Sequence, residues 1–189
     1  DDLARRVELS EEEVEALALA GAFDDLVGSR RGALWQIGQI DGVAPGQLDV
    51  QVATQPPLLP EPTQLDLLGD DIRATGISTA DHPVRHVRSV LDRRGVVRVD
   101  RLGDVEAGRR IEVAGVVTHR QRPGTAGGVT FLNVEDETGL LNVIVTPGAW
   151  KHHRRVARTS RALVVRGILE RSDGGVTSLQ ADRLEALDL

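Results

Sequence analysis

Three carboxylates in a row, Glu135, Asp136 and Glu137, are the residues here that come nearest to a divalent-metal site. The turn that holds them, EDETG, gives a plainer reason for acidic residues, because short side chains there accept hydrogen bonds from the turn's own backbone. No base, nucleophile or glycine-rich phosphate loop accompanies them, so neither a catalytic residue nor a metal ligand is expected in this chain. Cysteine is absent, which removes disulfides and thiolate metal sites, and the five histidines are read as offering no ligand spacing. The chemistry the sequence does support is electrostatic. His119, Arg120, Arg122, Lys151, His152, Arg154 and Arg155 supply cations, and Asn133 and Asn142 supply amides, as binding of a single-stranded nucleic acid requires. Flat side chains for stacking are scarce, with two Phe and two Trp in the chain, and Phe131 is expected in the core.

Charge places that chemistry in one half of the chain. Residues 1–71 carry 15 acidic and 4 basic residues, a formal −11, whereas residues 72–189 carry 14 and 19, a formal +5. A polyanion is therefore expected to meet the second half. Arg30 and Arg31 offer a phosphate contact in the first half, but in such acidic surroundings a solvated helix start is the better reading. No apolar run is long enough to span a bilayer, so no membrane contact and a cytoplasmic location are expected. The first residue is Asp rather than Met, from which we expect a piece of a longer protein.

The elements that must position these residues read as follows. Ser10 is placed to cap a helix over EEEVEALALA that Gly21 stops, and Ser29 a second helix, RRGALWQIGQI, laying Leu34, Ile37 and Trp35 on the first. Four prolines between Asp41 and Glu61 mark a loop and the domain boundary. Pro62 to Asp71 either begins a helix or lies extended. Pro83 can open a helix that runs to Gly95 with Val84, Val87, Val90 and Leu91 on one side and an exposed arginine face on the other. Val96 to Ala107 reads as a connector with an extended piece. From Arg109 the order is strand, strand, strand, helix, strand, strand. The second and third strands flank EDETG as a hairpin, and a β-bulge is expected in the first of that pair, where the apolar set slips from Val129 and Phe131 to Leu132 and Val134. His119, Arg120 and Arg122 fall in the loop after the first strand. Five strands with a helix between the third and fourth is the order of an OB-fold barrel, whose strands 2 and 3 and flanking loops form the usual binding surface. The fold class is α+β: a helical, helix-hairpin-helix-like segment at 1–41, a linker at 42–71, a helical connector at 72–107 and the barrel at 108–189.

The strings ALALAGAFDDL and SRRGALW, then IRATGISTADHPVRHVRSVLDRRGVV, then VAGVVTHRQRPGTAGGVTFLNVEDETGLLNVIV, resemble in order the C-terminal region of bacterial C-family DNA polymerases. The nearest likeness is to the error-prone, ImuC type, related to the replicative alpha subunit, and an end at Leu189 soon after the last strand is read as fitting that type. The resemblance implies a parent polymerase for damage-induced translesion synthesis, with Mg2+ on aspartates far upstream and no cofactor in this segment. It implies single-stranded or primer-template DNA as partner, together with an ImuB-like, Y-family-related protein. Gln64, Leu65, Leu67 and Leu68, in QLDLL, are similar to the peptides that such polymerases insert into the sliding clamp, with Leu68 where Phe is usual. The competing reading is a packing turn with Leu65, Leu68 and Ile72 buried on the barrel, and it is preferred. Two other functional classes remain open: a barrel that only docks proteins, and the anticodon-binding RNA module of a tRNA synthetase, to which AGAFDDL and TGISTADHP do not belong.

Overall fold

The computed structural model describes residues 7, 9–37, 57–172 and 174–189. It divides into two compact units, Asp1–Asp81 and His82–Leu189. The expected boundary in the proline-rich stretch lies largely at residues 41–56, outside the described residues.

The first unit is helical. Ser10 caps α1 (Glu11–Leu19) through a reciprocal capping box with Glu13, as its sequence dictates. A short α2 (Asp24–Val27) leads into α3 (Arg30–Ile37). The expected packing of Leu34, Trp35 and Ile37 is replaced by small residues: Ala18, Gly32 and Ala33 are buried, and the larger three are only partly covered. The segment 64–71 is helix rather than linker, for Thr63 and Asp66 form a second capping box that starts α4 (Gln64–Thr75). Arg30 is not solvated either. Its guanidinium donates to Asp71 at 2.5 Å, to the Leu67 carbonyl at 3.3 Å and to Asp24 at 3.4 Å, so it ties α3 to α2 and α4. Burial opposes the charge on Asp71, but the Ser78 hydroxyl and Arg30 outweigh it and hold its carboxyl below the usual range.

The second unit is a closed barrel. Its strands are β1 (Arg110–Gln121), β2 (Thr130–Asp136), β3 (Gly139–Val145), β4 (Ala162–Arg171) and β5 (Thr177–Ala186), in the order β1-β2-β3-β5-β4. Only the β3–β5 pair is parallel. Inward residues at alternate positions, among them Val113, Leu132, Val134, Val143, Leu163, Val165 and Leu179, make the core. Closure brings backbones very close at two glycines. A Cβ on Gly115 would lie 2.4 Å from the Glu135 carbonyl oxygen, and one on Gly167 2.3 Å from that of Gln180.

The expected bulge is on the wrong strand. Strand β2 pairs with β3 without a break, and its buried set is Thr130, Leu132, Val134 and Asp136; Val129 precedes the strand. Two polar residues in the inward set disguise the alternation. The register shift falls in β1 between Val117 and His119, and the strand continues past it, so His119 and Arg120 lie in the sheet and not in a loop.

Helix α5 (Pro83–Arg94) packs on the outside of β1 and β4, where Val84, Leu91 and Val96 meet Ala114 and Val164. Val90 stays exposed. The arginine face is not wholly exposed as expected, because Arg88 turns to the β2–β3 turn, donating to Glu137 at 2.6 and 2.8 Å and to Asp136 at 3.3 Å. The connector is extended only briefly: the Val97 amide donates to the Glu112 carbonyl, and a 3-10 helix (Val99–Asp104) then inserts Leu102 into the barrel core. Helix α6 (Pro147–Thr159), capped by Thr146, contributes Ala149, Trp150, Val156 and Ala157 to the same core.

Candidate nucleic-acid interface

With α5 over β1 and β4, the outward residues of β1, β2 and β3 are left partly exposed. Register sets them in rows. His119 lies opposite Asn133, which lies opposite Asn142; Gln121 lies opposite Phe131, which lies opposite Ile144. Phe131 is thus corrected from core to outer face, where it stands beside the two facing asparagines. Neither carboxamide has a side-chain partner among the described residues, and each offers a donor and an acceptor. His119 is exposed, its Nδ1 within 3.3 Å of the Thr118 hydroxyl. A ring with amide groups beside it can stack one base and hydrogen-bond its edge.

The expected cations divide into two kinds. Arg120 points to the inward side with Leu132, and its guanidinium donates to the Ala157 carbonyl at 3.0 Å and to that of Ser160. The side chain stays exposed, partial desolvation lowers its pKa, and its hydrogen bonds go to the C-terminal carbonyls of α6. Arg122 lies over the Trp150 ring, 5.6 Å from its centroid. Lys151, His152, Arg154 and Arg155 are exposed on α6. Sequence reasoning missed Gln121, Phe131, Ile144 and Arg158 as members of these surfaces. A signal for the last was present: no acidic residue occurs between Glu137 and Glu170.

The acidic turn does not fit a divalent cation. Asp136 Oδ1 accepts from the Thr138 amide and hydroxyl and the Gly139 amide, and Oδ2 accepts from the Val99 amide and Arg88. Glu137 is buried against Arg88, which overcomes the cost of its burial and keeps its carboxyl below the usual range. Contrary to expectation, two histidines, His82 and His86, do stand four apart, the spacing of paired helix ligands. His82 is instead the N-cap of α5, its Nδ1 accepting from the Val84 amide, and no group of three or more possible ligands forms among the described residues.

The clamp-peptide residues fall on the first turns of α4. Gln64 and Leu65 are exposed, Leu67 is partly covered and Leu68 is buried in the helical unit. Of the packing alternative, which set Leu65, Leu68 and Ile72 on the barrel, the burial of Leu68 is present, while Leu65 and Ile72 are 58% and 42% exposed.

A family profile described as "OB-fold nucleic acid binding domain" matches residues 111–187. The whole chain is similar to stretches of error-prone DNA polymerases: 88% identical over 189 residues to that of Cutibacterium acnes, 46% over 188 to that of Corynebacterium glutamicum, and 48% over 189 to that of Mycolicibacterium paratuberculosis. It spans about 17–18% of the length of these relatives. Among solved structures, asparaginyl-tRNA synthetase from Pyrococcus horikoshii aligns with 43% of the chain and 20% of its own, at 22% identity and a TM-score of 0.37. No helix among the described residues is long and apolar enough to cross a membrane.

Proposed function

We propose, since the chain belongs to the error-prone DNA polymerase family as a stretch of its C-terminal region, that the outer face of β1–β3 holds single-stranded DNA for the parent enzyme. The observation that carries this is Phe131 standing beside the facing pair Asn133 and Asn142 on the open side of the barrel. One ring gives one stacking position, so binding is weak and tolerant of sequence. In the parent we place this segment outside the chemistry: nucleotidyl transfer with Mg2+ belongs to aspartates upstream, and these residues steady the strand during synthesis across damage, in the manner of the ImuC type. Recruitment by an ImuB-like protein is proposed for exposed surfaces of either unit. Sliding-clamp binding through Gln64–Leu68 is the weaker proposal, because inserting Leu68 into another protein would remove it from its own core.

Fluorescence anisotropy with labelled oligothymidine tests the reading. Phe131→Ala should cost about 1–3 kcal/mol of binding, the range for one stacked base. Full affinity in a Phe131→Ala/Asn133→Ala/Asn142→Ala chain that melts normally would place the strand elsewhere or reduce the barrel to a docking scaffold.

A further inference from the structure

We propose that α6 is a track for the phosphate backbone of duplex DNA, so that the barrel unit prefers a junction, with paired strands along α6 and an unpaired strand on the face of β1–β3. The junction preference rests on the single-strand reading above, whereas duplex binding by α6 stands without it.

Several arginines elsewhere in this unit are paired with carboxylates, namely Arg88, Arg94, Arg110, Arg166 and Arg183, whereas Arg93, Arg109 and Arg161 are exposed without an ion pair among the described residues. Arg154, Arg155 and Arg158 are exposed and form no ion pair among the described residues. Arg158 is three residues from Arg155 and four from Arg154, which makes it a neighbour of each on the helix surface, about 5–6 Å away at Cβ. Like charges so placed weaken a helix, and α6 contains no acidic residue to relieve them. Lys151 adds a fourth cation one turn earlier, across a bend at His153, whose φ of −110° and ψ of 16° leave the helical range.

Two contacts fix which side faces out. Arg120 holds the C-terminal carbonyls of α6 and Arg122 covers Trp150, while Ala149, Val156 and Ala157 enter the core. The exposed side carries no phenyl, indole or carboxamide group; apart from the His152 ring, whose Nδ1 lies 2.9 Å from the Gly148 carbonyl, it offers guanidinium and ammonium groups. Charge is what it chiefly offers, and charge is densest on a duplex, about one phosphate per 1.7 Å of axis. An acidic protein surface lacks that density. The track also begins where the face ends. Gln121, opposite Phe131, is followed by Arg122, which sits on Trp150, and Trp150 is followed by Lys151.

The test uses the 189-residue chain and three labelled probes across a salt series: a blunt duplex, oligothymidine, and the duplex with an oligothymidine tail. Arg154→Gln/Arg155→Gln/Arg158→Gln should weaken duplex binding by about 10-fold or more and lower the salt slope by about three, one counterion for each cation removed. The corresponding triple Lys variant should bind duplex normally, which separates charge from folding. The unmodified chain should bind the tailed duplex more tightly than either simple probe. Unchanged duplex affinity in the Gln variant, a loss no larger on duplex than on oligothymidine, or displacement of duplex by polyglutamate at equal charge would overturn the track. Unimpaired oligothymidine binding after replacement of Phe131, Asn133 and Asn142 would instead overturn the single-strand reading and the junction preference, leaving the α6 result intact.

Discussion

Arg88 and Glu137 keep only 11% and 7% of their side chains exposed, and their two-point contact joins α5 to the β2–β3 turn. Glu137→Gln removes the two-point contact but leaves Asp136 beside Arg88, so it should cost about 1–3 kcal/mol in a denaturant melt. The sign of the pH effect follows from the carboxyl's depressed pKa. Its stabilisation is complete above the ordinary carboxylate value of 4.5 and disappears as pH falls through the lower folded value. The Glu137→Gln chain should therefore lose less stability than the unmodified chain between about pH 5 and pH 2, which acid titration followed by circular dichroism can measure. Gly115 is a residue of another kind, required by the space it leaves empty. Its missing Cβ makes room for the Glu135 carbonyl, and Gly115→Ala should lower stability by about 1–3 kcal/mol or more, as overpacking does.

At the scale of elements, α4 separates two readings of QLDLL. Its capping box is complete and Leu68 is 3% exposed, so Leu68→Ala should destabilise the helical unit by about 2–5 kcal/mol. Gln64→Ala, on an exposed residue, should leave the melt within about 0.5 kcal/mol. A clamp titration in the micromolar range that Gln64→Ala abolishes would mean that α4 opens to bind and would reverse our preference for packing. Helix α6 has the opposite character. Its inner side belongs to the core and is held by Arg120, and its outer side has no structural task among the described residues.

For the whole molecule, the division at Asp81/His82 changes what counts as the barrel domain. Leu102 fills the barrel core, Val84 and Leu91 cover Ala114 and Val164, and Arg88 anchors the turn, all from residues before 108. A chain of residues 82–189 should melt cooperatively by calorimetry, whereas residues 108–189 alone should not. The first unit carries 16 acidic and 5 basic residues and the second 13 and 18, so the charge split survives the new boundary.

Much of this molecule is written in local sequence. Ser10 with Glu13, Thr63 with Asp66, and Pro83 ahead of Gly95 start and stop helices through contacts only a few residues long, and the succession of strands and helix along the barrel segment follows from the runs of Val, Ile and Leu between turns. The family is equally legible, because the motif strings stand in order along the chain. What sequence could not settle is which face each side chain occupies. Phe131 looks like core in isolation, since an apolar ring among strand residues has no local sign of direction; only pairing with Gln121 and Ile144 sends it outward. Arg120 and Arg88 look like free cations, yet their partners lie 37 and 49 residues away. Long-range closure of the barrel decides which charges are neutralised and which remain for a ligand, because opposite charges meet only after the backbone between them has folded.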